Sequence, residues 1–373
     1  SSVSPPPSVS WPASGSSAPS SVSPPPSVSR PASSSSVPPS VFDLSSHFER
    51  NMRAVGSQVL TYILVPNTLF YAGWMDISNQ NKQLRTLRTF SNRPFKINEN
   101  PALFVRGYGG HHHYTSNVSA LKYGSGGDLD YNAIEAGILL EKIENAYSTT
   151  SFGIMGNYGK LSLQPREVKQ SQEGIFDKWT ITAYGSMQHN TGFYMDGFFS
   201  YGLFNGNVLT LRGGKTAALR GKPLSISLTA GKTFIVGYRY FIFEPQVQFV
   251  YQNLQFHKTR DIDNFNIDMR KPDHWGVRIG GHLTKTFTST KDAHVLSFSG
   301  KLYFVRNFDD KQFVYFKDAF QLGSLGSSLE AGFGIYSQLS PKIILHTDLI
   351  YQHKFTDAGF SGTHFSGGLS YHF

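Results

Sequence analysis

Between residues 102 and 373 the sequence switches between apolar and polar or small residues at every second position, stretch after stretch. Leu224, Ile226 and Leu228 alternate with Ser225, Ser227 and Thr229. Leu296, Phe298, Leu302 and Phe304 alternate with Ser297, Ser299 and Lys301. A period of two is strand geometry, because successive side chains of a strand point to opposite faces. A soluble sandwich also alternates, but its outer face carries more charge than the Ser, Gly, Gln and His found here. Twelve strands are predicted, near 102–114, 130–143, 148–160, 176–188, 192–204, 222–233, 241–254, 273–286, 293–306, 328–339, 342–355 and 362–373. An even set with an apolar face for lipid is the pattern of a transmembrane β-barrel.

The predicted connections alternate in length. Those at 115–129, 161–175, 205–221, 255–272 and 307–327 are long. Those at 144–147, 189–191, 287–292 and 340–341 are short, 234–240 is intermediate, and 356–361 falls on the long side. Outer-membrane barrels have short periplasmic turns and longer extracellular loops, which puts Pro101 and both barrel ends on the periplasmic side.

Composition agrees. Charged residues are 16%, against about 25% in soluble domains. No apolar run is long enough for a transmembrane helix. Cysteine is absent, so neither disulfides nor the redox compartment enter the argument. A formal charge of +9 raises nucleic acid as a partner. The Lys and Arg residues are scattered rather than clustered, and no nucleic-acid binding is expected.

Ahead of the barrel lie two different stretches. Residues 1–45 are a Ser/Pro-rich low-complexity linker, expected to be disordered and extended. SSVSPPPSVSWPAS at 1–14 recurs there as SSVSPPPSVSRPAS at 20–33. Proline at this density favours a semi-rigid polyproline II spacer, with a ligand for a proline-recognition domain as the alternative. The chain opens on Ser1 with no charged n-region or apolar h-region, which reads as a processed form or a fragment.

Residues 46–100 hold a predicted helix over 68–90. Leu69, Trp74, Ile77, Leu84 and Leu87 recur at roughly helical spacing, Pro66 sits just before the start, and Pro94 stops it. Lys82, Arg85 and Arg88 step by three as a basic stripe. Such a helix is about 34 Å long, close to the bilayer thickness, yet too polar to face lipid. A twelve-stranded closed sheet of roughly 24 Å backbone diameter has room for one helix of about 10–12 Å. The expected fold is therefore an all-β membrane protein: a 12-stranded antiparallel transmembrane β-barrel over 101–373, with an N-terminal α-helix through the lumen. Inward positions offer Glu135, Asp196, Glu244, Glu330 and Asp348 as partners for Lys82, Arg85 and Arg88. Hydration is the plainer expectation for any single acid.

With these features in hand, residues 57–373 resemble the translocator β-domain of autotransporters, the type V secretion systems of Gram-negative bacteria. The resemblance rests on Tyr62-Ile63-Leu64-Val65-Pro66-Asn67-Thr68-Leu69-Phe70 before the helix. It also rests on Phe104-Val105-Arg106-Gly107-Tyr108-Gly109-Gly110 in the first strand and Asp128-Leu129-Asp130-Tyr131 in the second. The ending Leu369, Tyr371 and Phe373 is similar to the signal by which the barrel-assembly machinery recognises its clients. The resemblance implies an outer-membrane translocator and anchor, not an enzyme. It would export an N-terminal passenger, leave the helix in the pore and hold the linker tail at the cell surface. Implied partners are outer-membrane lipid, the barrel-assembly machinery, periplasmic chaperones and the passenger, with the domain a monomer. Some members cut themselves at paired Asn residues in the helix. Here Asn79 and Asn81 are separated by Gln80, so solvation is favoured over self-cleavage. A plugged small-solute porin is the alternative reading.

No catalytic set, cofactor signature or metal centre is expected. The nucleophile elbow is missing, and GGKT at 213–216 and GKT at 231–233 lack the upstream Gly of a phosphate loop. His111 and His113 share a strand face while His112 points away. No acid or His partner stands at a known spacing, so they are read as rim residues. Gly107, Gly197, Gly280 and Gly281 are expected to relieve crowding where the barrel packs on the helix or bends.

Overall fold

A computed structural model describes residues 58–91, 102–118, 126–166, 173–209, 214–237, 241–262, 264, 266–288, 295–308, 311–316, 319–340 and 342–372. The Ser/Pro-rich stretch, Pro94, Pro101 and Phe373 lie outside these residues. One helix, α1 (Gln58–Ser91), precedes the strands. The barrel strands are β1 (Ala102–Thr115), β2 (Gly127–Glu144), β3 (Ser148–Pro165), β4 (Glu173–His189), β5 (Phe193–Leu209) and β6 (Lys215–Lys232). They continue as β7 (Phe241–Phe256), β8 (Asp273–Thr288), β9 (Val295–Phe308), β10 (Ser327–Gln338), β11 (Ile343–Lys354) and β12 (Gly359–His372). Each pairs antiparallel with the next, and β12 pairs with β1 from Ala102↔His372 to Thr115↔Gly359, which closes the sheet. Closure leaves no edge with unpaired backbone groups, as a spanning sheet requires.

Across the middle of the barrel, the exposed side chains are apolar and the buried ones polar, the reverse of a soluble protein. Phe199, Ile226, Leu228, Ile279, Leu302 and Phe304 point out, while Thr182, Ser200, Ser227, Thr229, Gln248 and Ser299 point in. Trp179 stacks near Tyr158 at 4.3 Å between ring centroids and Tyr251 near Trp275 at 4.5 Å. These outward pairs form the aromatic band expected at a membrane interface.

Beyond that band, toward the long connections, the polarity inverts. Tyr131, Leu161, Leu163, Phe176, Phe204, Val208 and Leu219 are inward and buried, while Asp130, Asn132, Lys160, Asn205 and Arg220 are outward and exposed. The strands thus run past the lipid into water. This corrects the predicted connections: 205–221 is largely strand, since β5 runs to Leu209 and β6 begins at Lys215. Likewise β3 runs to Pro165 and β4 begins at Glu173. The apolar-out rule that marks a membrane strand stops at the lipid boundary, although the backbone ladder does not.

The helix is also longer than predicted. It spans 34 residues and contains Pro66 in its interior, against an expected start at Thr68. That is about 51 Å of helix, more than the roughly 30 Å hydrocarbon core needs. Proline inside a helix costs about 3 kcal/mol or more, because it cannot donate to the carbonyl four residues back. Tyr62, Ile63, Leu64 and Val65, the turn before it, are each at most 3% exposed. Burial of such side chains is worth about 1.5–3 kcal/mol each, which outweighs the proline. They pack with Phe70, Tyr114, Leu161, Phe176, Leu219 and Leu254 in one apolar cluster. The helix is therefore not amphipathic around its circumference. Among its described side chains it is buried on every side, and its polarity changes along its axis.

Candidate functional site

The site is the filled lumen, and α1 is what fills it. The direction of α1 follows from its partners. Near its start, Asn67 Nδ2 donates to Tyr114 Oη at 2.8 Å and to the Gly323 carbonyl at 2.7 Å, both at the long-connection end. Near its end, Arg85 and Arg88 reach the first residues of β7 and β5, at the short-connection end. Gly276 on the wall leaves space for Trp74, where a Cβ would lie 2.9 Å from the indole ring, and Gly73 on the helix leaves space for Gln252. The predicted glycines behave otherwise. Gly107 and Gly197 face open space, while Gly280 and Gly281 crowd neighbouring strands rather than the helix.

In the upper lumen, contacts are apolar and aromatic. Leu69 lies in the large cluster. The Tyr71 ring stacks on Phe360 at 4.0 Å, and its hydroxyl donates to Gln352 Oε1 at 2.5 Å. Trp74 Nε1 donates to Glu330 Oε1 at 2.9 Å.

The lower lumen is mainly ionic, apart from an apolar cluster of Leu84 with Phe104, Leu139, Met155 and Phe198. Asp76, on the helix, gathers four donors. Lys178 Nζ binds Oδ2 at 2.6 Å, and Tyr108 Oη and Tyr131 Oη each bind Oδ1 at 2.7 Å. Asn157 Nδ2 adds a contact at 3.3 Å. Ser78 Oγ accepts from Arg278, which also reaches Glu330 Oε2 at 3.2 Å. Arg85 Nε meets Glu244 Oε2 at 2.7 Å, and Arg88 binds Asp196 while lying 3.9 Å over the Tyr194 ring. Arg106, from β1, donates to the Asn79 carbonyl, to Gln83 and to His346.

Of the five acids singled out in the sequence, Glu244 and Asp196 pair with helix bases. Glu330 and Asp348 pair instead with wall bases, Arg278 and Lys301. Glu135 faces Arg106 across the β1–β2 ladder and, among the described residues, pairs with none of the three helix bases. Lys82 contacts Asn79 Oδ1 at 2.9 Å and Ser366 Oγ at 3.4 Å rather than an acid. The three bases are no single stripe but fan out to different walls. As residues the five acids are at most 4% exposed, and four of them, Asp196, Glu244, Glu330 and Asp348, lie in ion pairs. The remaining cavity beside Lys82 and Arg85 is about 10 Å³, room for about one water.

Asp76, Lys178, Arg106, Arg278 and Lys301 carry much of this network. Arg278 and Lys301 stand in the polar phase of their alternating strands, which is the sequence signal that exposes them. Asn79 Nδ2 is engaged by the Met75 carbonyl at 2.9 Å, and Asn81 is buried beside it. Leu369 faces outward, opposite Val105, and Tyr371 is half-buried opposite Leu103. Among the described residues no three His, Asp or Glu groups are gathered to hold a metal ion.

Comparisons with known proteins return autotransporter translocator domains of the same fold. The transport unit of the autotransporter AIDA-I from Escherichia coli superposes with a TM-score of 0.60 at 16% identity, covering 77% of this chain and 97% of that one. The β-domain of the Bordetella autotransporter BrkA gives 0.56 at 15%, over 74% and 100%. The translocator domain of NalP from Neisseria meningitidis gives 0.53 at 11%, over 80% and 98%. At such identities these structures speak for the fold. No curated protein matches the sequence. The family model described as autotransporter β-domain matches residues 103–349. The chain thus belongs to the autotransporter β-domain family, and is an outer-membrane translocator and anchor for an N-terminal passenger.

Proposed function

We propose that α1 is the last part of the exported segment, held in the pore after the passenger has left, and that the Ser/Pro-rich stretch 1–45 is a spacer at the cell surface. The observation that carries this reading is the direction of α1. Its N-terminal half lies among residues near the long connections, and its C-terminal half among residues near the short ones. The chain before it then leaves on the side where such barrels carry their extracellular loops. The end of β12 lies on the opposite side, beside the start of β1. The ion pairs of Arg85 and Arg88 with Glu244 and Asp196 anchor the helix once it has arrived.

On this reading the domain works as a monomer in outer-membrane lipid. Leu369, Tyr371 and Phe373 form the signal read by the barrel-assembly machinery, with periplasmic chaperones delivering the unfolded chain. No residue performs catalysis, and Asn79 and Asn81 serve as buried polar groups of the helix rather than as a cleavage site.

The test is a reporter fused ahead of Ser1, preceded by a signal peptide, in cells treated with external protease. The expected result is digestion of the reporter with the barrel intact. A reporter protected in intact cells sinks the orientation. Mass spectrometry of the same chain checks the Asn residues: a new terminus at Asn79 or Asn81, lost on Asn79→Asp or Asn81→Asp, overturns the uncut helix.

A further inference from the structure

Outside the lumen, β1 and β2 place four metal-relevant side chains on one outward face. His111 stands opposite Asp130 and His113 opposite Asp128 in the ladder. The tertiary structure thus supplies the acids that the linear spacing lacked. His111 Nδ1 lies 2.8 Å from Asp130 Oδ1, and His113 Nδ1 lies 3.2 Å from Asp128 Oδ1. Arg166 Nε steadies the other oxygen of Asp128 at 2.7 Å. The group is open to water, with the His111 side chain 61% exposed. It also sits beyond the aromatic band: Gly107 shares the row of Tyr158 and Trp179, and the two histidines follow it along β1.

The pairing fixes the chemistry of each ring. A carboxylate can only accept, so the facing Nδ1 carries the proton, and the Nε2 of a neutral imidazole keeps its lone pair. A carboxylate on the far nitrogen is the arrangement that orients a metal-ligating histidine and raises its basicity. The two histidines are two residues apart on one strand, so they share a face with Cα atoms about 6.8 Å apart. Two imidazoles at that spacing can converge on one ion at about 2.0–2.1 Å. Asp128, Asp130 and Arg166 together leave a local negative balance, which favours a cation.

We propose that His111 and His113 form a surface site for a divalent transition-metal ion of the Zn²⁺ class. Nε2 of each ring is a ligand, Asp130 and Asp128 are positioning residues, and water completes the coordination. His112, between them, takes no part: it is buried in the lumen, with its ring centroid 4.8 Å from that of Tyr71.

The test is Zn²⁺ alone, titrated calorimetrically into the chelator-stripped full chain in detergent. Folding of every variant is confirmed by its mobility on an unheated gel. One ion per chain is expected in the micromolar range. Affinity should fall at least tenfold in His111→Ala and in His113→Ala, and about 10- to 100-fold in Asp130→Asn, which leaves both imidazoles present. His189→Ala, at the short-connection end of β4, leaves it unchanged. X-ray absorption of the zinc-loaded wild-type chain should show nitrogen ligands, a readout that needs no variant. Binding no tighter than millimolar, binding that survives both His substitutions, or an all-oxygen shell overturns the site.

Discussion

The two ends of the lumen solve the same problem by opposite means. Toward the long connections the wall turns apolar inward and grips Tyr62 to Ala72 as a soluble core grips a buried helix. Toward the short connections the wall is mostly polar inward, with one apolar cluster at Leu84, and holds Asp76 to Arg88 chiefly through bonds of fixed direction. What surrounds each end explains the difference. Where water bathes the outside, apolar residues belong inside. Where lipid bathes the outside, apolar residues are spent on the outer face, and the inner face must satisfy its polar groups with partners. The apolar end resists displacement through packing. The ionic end fixes where along its axis the helix stops, because each charge has one place to go.

The largest test of this contrast removes both ends. Deletion of residues 57–90 should raise single-channel conductance in planar bilayers at least roughly tenfold, as a plugged lumen becomes an aqueous one. Unchanged conductance breaks the description of α1 as the filling.

Next comes the ionic end. Arg85→Ala leaves Glu244 buried and unpaired and should cost about 3–5 kcal/mol in urea unfolding. Changing both partners to Met should restore most of that loss. A double variant as weak as Arg85→Ala would show that the loss does not come from leaving the Glu244 carboxylate buried and unpaired.

The apolar end should respond to volume, not charge. Leu69→Ala is expected to cost about 2–5 kcal/mol, and Leu69→Met less than about 1.5. Similar losses for both would mean the upper cluster is not close-packed.

The smallest effects locate the lipid boundary from outside. Phe199→Lys, amid the lipid-facing rows, should cost about 2–4 kcal/mol in a bilayer, and Asn205→Lys, above the band, about 0–1. Equal costs would erase the boundary at which wall polarity inverts.

Much of this was legible beforehand because strand alternation is local. Each residue of a spanning strand declares its face by its own polarity, so Asp196, Glu244, Glu330 and Asp348 could be placed inside without knowing the neighbours. Their partners could not. Pairing depends on register around a closed sheet, and Lys301 reaches Asp348 from two strands away, leaving Lys82 to Asn79 and Ser366. The same limit hid the acids beside His111 and His113, which lie in another strand.

The sequence alone determined twelve spanning strands and a polar helix that has no place in lipid. Period-two patterning and hydropathy act over a few residues and need no fold to be read. The tertiary structure decided how far the helix extends, where the strands leave the membrane and which charge meets which. Pro66 lies inside α1 only because the surrounding wall buries the turn before it. The strand ends above the lipid keep their ladder while their polarity reverses. Both outcomes depend on what lies on the other side of the wall, which no stretch of chain carries within itself.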